Sequence, residues 1–574
     1  MLRVLRLVLM VCALSVATAA TAASPAFVVS YPAERSQGPL QGRLILVFAS
    51  DGNKEPRSQV NWDQDAIPIF GMDVEGWRPG ESRAFDGSAY GFPLKSFDEL
   101  PAGKYFVQAV LNRYETFTLA DGRRLNLAPD RGEGQVWHKK PGNLYSKPQE
   151  IEIGGAQGAN IALLLDQEIP AIEPFEKLET AHVKYLRIKS ERLSKFWGRD
   201  IFLGAWVHLP WGYAEHPDAR YPLVIAHGHF PGEPGLLRET PPDPDLKPEY
   251  SKRFNLEGYN RTEQEYGWLA FNNWNAPGFP RVLMIEIQHP TPFYDDSYAV
   301  NSANNGPYGD AIEYELIPEI EKRYRAIGQG WARFVFGGST GGWEAMAVQM
   351  FYPDHYNGAW IACPDPIDFR HYETVDIYKD TNAYYMNRFK RTPRPGYRNW
   401  LGHVYATIQE MNQYELALGS KARSGDQWDA WESVYSPVGP DGYPRRIWDR
   451  VTGEIDPVTA AYWRENYDLL NILERDWATL GPKLRGKLRI YVGDMDNYYL
   501  NNAVYGVETF LKSANPPADA VVEYGDRDEH CWNGDHARAN AYSRLRYPQM
   551  VLPWTVERML KTAPAGADIK SWRY

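Results

Sequence analysis

The chain has 574 residues, a formal net charge of −11, 44% hydrophobic residues and 24% charged residues. This is ordinary globular composition, which excludes a disordered or fibrous chain, and the length suffices for a large core without covalent staples. The acidic balance argues against nucleic acid as the main partner, because phosphate binding needs a basic face. Aromatic residues are abundant, with Trp 20, Tyr 37 and Phe 22. They serve either as packing mass that pins many Pro- and Gly-rich loops or as platforms for sugar or aryl substrates.

The first residues read as an export signal. Arg3 and Arg6 form a short basic region, residues 7–16 are apolar, and Ala20-Thr21-Ala22 supplies small residues for a cleavage site. Residues 1–22 are therefore expected to be a signal peptide, and the remaining protein to be secreted or periplasmic. Leu9-Met10-Val11-Cys12 superficially resembles a lipoprotein box, but Val11 is bulky where a small residue is needed. No later stretch approaches the length of a membrane span, about 18 apolar residues, so no membrane association is expected after signal cleavage.

Residues 23–172 read as a β-rich domain of immunoglobulin-like sandwich type. Residues 26–30, 42–48, 104–111, 151–153 and 160–165 are strand-like runs bounded by Gly, Pro and Asp, and no amphipathic helix stands out among them. From residue 173 to 574 strands alternate with helices, the pattern of an α/β domain with a mainly parallel sheet. Strands are expected at 183–188, 201–209, 223–226, 282–287, 333–336, 358–362, 488–492 and 520–524, and a helix at 310–326, where Ile312, Leu316, Ile317, Ile320 and Tyr324 recur at helical spacing. The alternation stops at residues 231–280 and again at 364–480. The longer stretch, with helical pieces such as 400–418, is expected to pack over the sheet's C-terminal edge as a cap.

The most informative motif is Gly337-Gly338-Ser339-Thr340-Gly341, a G-x-S-x-G sequence that follows a strand and enters a helix-compatible run. A nucleophilic serine needs a sharp turn that raises its hydroxyl above the sheet, and flanking glycines let strand and helix approach closely. The helix N-terminus also favours charge developing on an oxyanion. Serine alone is a poor nucleophile and needs a base and an orienting acid, which in this architecture follow in the order Ser, Asp, His. Asp496, just past the strand at 488–492, is the expected acid, with Asp494 as the alternative. His530, on the loop after the last strand, is the expected base, with His536 as the alternative. One oxyanion donor is expected from the Thr340 amide and the other from His229 or Phe230, on the loop after residues 223–226. His227-Gly228-His229 is too short a pattern to indicate a metal, and neither a metal nor a cofactor is expected.

These features resemble an α/β-hydrolase of the esterase group that includes acetyl-xylan esterases, feruloyl esterases and S-formylglutathione hydrolase. The resemblance is carried by the His227-Gly228 turn, Asp296-Ser297-Tyr298 with Gly306-Pro307-Tyr308, Leu316-Ile317-Pro318 with Tyr324-Arg325, the elbow at 337–342, and His530-Cys531-Trp532. It covers the second half of the chain outside the 364–480 insertion. It implies an α/β-hydrolase fold and hydrolysis of carboxylic esters, small-molecule or glycan, through an acyl-enzyme. The long insertion and the N-terminal domain depart from the family pattern and leave the substrate open. A peptidase or amidase on the same triad, or a non-catalytic carbohydrate-binding protein on a hydrolase frame, are the other readings, and the oligomeric state is not indicated. Cys363 ends the strand after the nucleophile's and Cys531 follows the proposed base. The pair would either form a disulfide that pins the His530 loop or remain as free thiols.

Overall fold

The structure is a computed structural model that describes residues 26–154, 160–229 and 232–574. The expected signal peptide at 1–22 and the expected oxyanion donor Phe230 lie outside the described residues.

Strands β1 (Leu40–Ala49), β2 (Ile69–Trp77) and β3 (Gly103–Arg113) run antiparallel at the centre of a seven-stranded sheet. Phe27–Ser30 belongs to a separate three-stranded sheet. Side chains alternate across a strand, so Leu44, Leu46 and Phe48 of β1 share one core with Phe27 and Val29 of the smaller sheet. Ile45 and Val47 face the other way, into a core with Tyr414, Ala417 and Leu418. Both faces of β1 are covered, which explains its unbroken apolar run.

The second part is an α/β unit around an eight-stranded sheet. Its strands are β4 (Val183–Lys189), β5 (Phe202–His208), β6 (Leu223–His227), β7 (Leu283–Gln288), β8 (Arg333–Gly338), β9 (Ala359–Ala362), β10 (Leu488–Gly493) and β11 (Val521–Gly525). The spatial order is β4-β5-β7-β6-β8-β9-β10-β11. The contacts of β5 with β4 and with β7 are antiparallel, and all others are parallel. Helix α1 (Tyr259–Trp274) lies in the shorter insertion, and helix α2 (Thr340–Phe351) leaves β8 directly. Helix α2 is buried from Thr340 to Met350, as a helix pressed beneath a sheet must be. Crevices at the carboxyl ends of such parallel strands are where ligands gather. Among the described residues no helix is long and apolar enough to cross a membrane.

Two helix expectations are modified. The helix expected at 310–326 forms in three pieces, Tyr308–Ala311, a π-turn at Ile312–Leu316, and Ile317–Arg323. The helix expected at 400–418 begins only at Ile408, as α3 (Ile408–Leu418), because Val404–Thr407 pairs with Pro395–Arg398 as a hairpin. Thr407 then stops the strand by capping α3: its hydroxyl accepts from the Glu410 amide while the Glu410 carboxylate accepts from the Thr407 amide.

The 364–480 insertion touches both parts of the molecule. Helix α4 (Gln427–Tyr435) reaches the carboxyl end of the α/β sheet, whereas α3 lies on β1 and β2 of the N-terminal sheet. Buried Arg43 of β1 ties this contact: its Nε donates to the Ala417 carbonyl at 3.1 Å, and another guanidinium nitrogen donates to the Leu416 carbonyl. Asp73 of β2 pairs with Arg43 at 3.1 Å and with Arg423 at 2.8 Å. Burial alone would raise the Asp73 carboxyl, but the two guanidiniums outweigh it and hold its pKa below the usual range. Breaking a buried ion network by removing one member costs about 3 kcal/mol. Arg43→Met is therefore expected to lower the thermal unfolding midpoint by several degrees in a melting experiment, and an unchanged midpoint would show that the contact contributes nothing.

Candidate active site

Ser339 sits between β8 and α2 with φ 59 and ψ −123, a backbone conformation L-residues rarely adopt. Its neighbours explain why the turn needs glycine. A Cβ on Gly337 would lie 2.4 Å from the Gly341 backbone, and a Cβ on Gly341 would lie 2.1 Å from the His227 carbonyl oxygen. The Ser339 amide is held by the Ala362 carbonyl at 3.1 Å and by Cys363 Sγ at 3.1 Å. The turn is thus fastened to β9 while the hydroxyl stays partly exposed.

Three of the expected residues meet there. His530 Nε2 lies 2.9 Å from Ser339 Oγ, and His530 Nδ1 lies 2.8 Å from Asp496 Oδ2. The other Asp496 oxygen accepts from the amides of Tyr498 at 2.9 Å and Leu500 at 3.3 Å, which fixes the carboxylate plane. The His530 amide donates to Asn497 Oδ1, and its carbonyl accepts from Arg253 and Asn540, so the base is gripped through its backbone as well. The two alternatives lie elsewhere. Asp494 accepts from the Arg527 amide at 2.7 Å, and His536 is an exposed ring paired with Glu523 at 3.0 Å.

Thr340 heads α2, and His229 follows the end of β6 with its ring facing Asp295 at 3.6 Å. Of the two alternatives for the cysteines, the structure has the second: Cys363 and Cys531 are free thiols. Their sulfurs lie within 4.8 Å of each other without a covalent link, and Cys363 Sγ also accepts the Ser339 amide. Burial pushes the Cys363 thiol up, whereas the neighbouring Cys363 pulls the Cys531 thiol down. Burial also disfavours a charged His530 ring, but the Cys531 sulfur and then the Asp496 carboxylate outweigh it and shift its pKa upward.

One residue escaped the sequence reading. Asp365 is buried, and its Oδ1 lies 3.3 Å from Ser339 Oγ. Its Oδ2 accepts from Tyr298 at 2.8 Å, Thr340 at 3.0 Å, Trp431 at 3.2 Å and Gln427 at 3.4 Å. Burial raises this carboxyl although its donors favour the anion. The available signal was an acid between two prolines just past the β9 strand, but its importance comes from α4, which brings Gln427 and Trp431 from the distant insertion. A cavity of about 240 Å³ opens beside the elbow, lined by Trp206, His229, Gly338, Cys531, Arg544 and Tyr547.

No family model and no curated relative matches the sequence. Among solved structures the chain is similar to a ferulic acid esterase at 14% identity, covering 66% of this chain and 100% of that one, with a TM-score of 0.34. It is similar to an S-formylglutathione hydrolase from Agrobacterium tumefaciens at 15% identity, covering 66% and 98%, with a TM-score of 0.33. A putative dipeptidyl aminopeptidase IV from Bacteroides ovatus is 11% identical, covering 86% of this chain and 55% of that one, with a TM-score of 0.32. Likenesses this weak carry no argument, and the chemistry is read from the residues themselves.

Because the Cys531 sulfur contributes with Asp496 to raising His530, Cys531→Ala is expected to lower the ring's pKa. NMR titration of the His530 ring measures this directly, and an unmoved pKa would remove the sulfur from the explanation.

Proposed function

We propose that the protein is an exported serine hydrolase that cleaves carboxylic esters through an acyl-enzyme. The single observation that carries this reading is the hydrogen-bonded run from Ser339 Oγ through His530 to Asp496. Such a run gives a weak nucleophile its base and gives the base its orienting acid. In this reading Ser339 Oγ attacks the ester carbonyl and passes its proton to His530 Nε2. Asp496 accepts the Nδ1 proton's hydrogen bond and stabilises the imidazolium. The Thr340 amide and an amide at 229–230 receive the oxyanion. Protonated His530 then gives its proton to the departing alcohol, and a water deprotonated by the same ring frees the acid.

The finer reading assigns residues 1–22 to a signal peptide, 23–172 to a β-sandwich domain, and 173–574 to the hydrolase domain with its insertions at 231–280 and 364–480, the longer acting as a cap. It also assigns an ester carried on carbohydrate. Support comes from a groove of about 530 Å³ lined by Tyr250, Tyr397, Asn399, Trp400, Tyr405 and Asn497. Tyr250, Trp400 and Tyr405 are 54%, 44% and 39% exposed, so flat aromatic faces stand open next to the His530 loop, beside the half-buried Asn399 side chain. Aromatic faces beside polar side chains suit a sugar ring.

Ser339→Ala is expected to cut turnover of an aryl acetate by about 10⁴-fold or more while leaving the melting temperature within a few degrees. Turnover near the wild-type rate would end the hydrolase reading, and paired ester and anilide substrates separate an esterase from an amidase. Trp400→Ala is expected to raise KM about tenfold for an acetylated or feruloylated oligosaccharide and to leave KM for the small aryl ester unchanged. Equal effects on both substrates would remove the carbohydrate assignment alone.

A further inference from the structure

Asp365 is a buried carboxylate that the chemistry above leaves without a role, and its two oxygens are placed for different tasks. Oδ2 is surrounded by donors: Tyr298 Oη at 2.8 Å, Thr340 Oγ1 at 3.0 Å, Trp431 Nε1 at 3.2 Å and Gln427 Nε2 at 3.4 Å. An indole N–H can only donate, so this oxygen is an acceptor. The Asp365 amide also donates to the Ser339 carbonyl at 3.2 Å, which fastens the residue to the elbow it faces. The side chain is 3% exposed, and these contacts fix its carboxylate plane. A buried carboxylate costs stability, and groups of this kind concentrate where chemistry uses them.

Oδ1 faces the nucleophile. Among the described residues its hydrogen-bond partner is the Ser339 hydroxyl, at 3.3 Å. That hydroxyl has one hydrogen and two acceptors before it, because His530 Nε2 lies 2.9 Å away. The ring is nearer and takes the hydrogen when the serine attacks. Once an acyl group sits on Oγ, that oxygen carries no hydrogen, and both acceptors lose their donor at the same moment. A buried acceptor without a donor is costly, so the acyl-enzyme has a place for a group that supplies hydrogens. A water has two to give. Two acceptors that both reach one serine oxygen are close enough together for one water beside that oxygen to meet both.

We propose that Asp365 is the second acceptor for the hydrolytic water: its Oδ1 and His530 Nε2 together hold the molecule that frees the acid from Ser339. This role rests on the serine-hydrolase reading above and belongs to its second half, deacylation. The water oxygen forms a bond to the acyl carbon as one of its protons passes to His530 Nε2. The other proton stays on the attacking oxygen, in a hydrogen bond to Asp365 Oδ1. The carbonyl electron pair moves onto the oxyanion and returns as the bond between the acyl carbon and Ser339 Oγ breaks. His530 gives its proton to Oγ, and the acid leaves with the proton that Asp365 held. Asp365 ends the cycle unchanged, and no further reactant enters. With both hydrogens held, a lone pair of the water is turned toward the carbon, the advantage of a reactant fixed in place.

The test replaces Asp365 by asparagine in the full-length protein. Donors surround the Oδ2 position, so the Asp365→Asn amide sets its oxygen there and turns its NH2 toward Ser339, replacing an acceptor by a donor at nearly constant volume. Stopped-flow kinetics with a p-nitrophenyl ester separate the initial release of nitrophenol, which follows acylation, from steady turnover, which follows deacylation. In Asp365→Asn the burst rate is expected to stay within about threefold of wild type while steady turnover falls about 100-fold. KM is expected to fall with kcat, and mass spectrometry of the working enzyme to find the acyl group on Ser339. If Asp365→Asn does not fold, Tyr298→Phe removes the nearest donor to Oδ2 and is expected to give the same selective fall, smaller in size. The inference is overturned if the variant that folds keeps the wild-type deacylation rate, or if its burst and steady rates fall together, the mark of a purely structural role. Failure of the hydrolase reading looks different: wild type then forms no acyl adduct on Ser339, and ester turnover survives Ser339→Ala.

Discussion

The close approach of three backbone segments at Ser339 is the constraint on which the rest of the site depends. Gly341 lies so near the His227 carbonyl that no side chain fits between them, and Gly337 lies equally near Gly341. This packing lets β8, α2 and the end of β6 meet at one point. It forces Ser339 into a positive φ, and the Ala362 carbonyl and the Cys363 sulfur hold its amide there. Strain of this kind costs of order 1–3 kcal/mol and persists only where surrounding structure over-determines it. Here the surroundings are the buried carboxyl ends of β6 and β9.

Everything that faces the hydroxyl is delivered by the carboxyl ends of neighbouring strands. The β10 end carries Asp496, the β11 end carries His530, and the β9 end carries Asp365. Each arrives on a loop whose backbone is held separately: Asp496 by the amides of Tyr498 and Leu500, His530 by Asn497, Arg253 and Asn540. Asp365 differs, because its partners Gln427 and Trp431 come from the long insertion. The insertion in turn rests on the N-terminal sheet through α3 and Arg43. A chain of direct contacts therefore connects the outer face of the N-terminal sheet to the carboxylate beside the nucleophile.

Local pattern carried a large part of this into the sequence. Buried parallel strands read as short apolar runs, so β6 through β11 were legible, and the glycines of the elbow marked a turn that no other residue tolerates. Chain order alone then narrowed the acid and the base to Asp496 or Asp494 and to His530 or His536. Within each pair the sequence favoured Asp496 and His530 without excluding the neighbour, since two acids two residues apart, on one turn, differ only in which one the loop aims inward. The helix written into 400–418 fails for a related reason: Thr407 is an acceptable helix residue until Glu410 and the hairpin partner at Pro395–Arg398 make it a cap.

By itself the sequence determined the α/β alternation, the β-rich character of the first part, the elbow, and a short list of side chains able to act with Ser339. These depend on neighbours within a few residues, where periodicity and glycine's freedom are direct physical signals. Only the tertiary structure decided that Asp365 stands against the nucleophile, that Cys363 and Cys531 come together unbridged, and that α3 covers β1. Those juxtapositions join residues tens to hundreds of positions apart, and distance along a chain carries no information about distance in space until the strands have been ordered in the sheet.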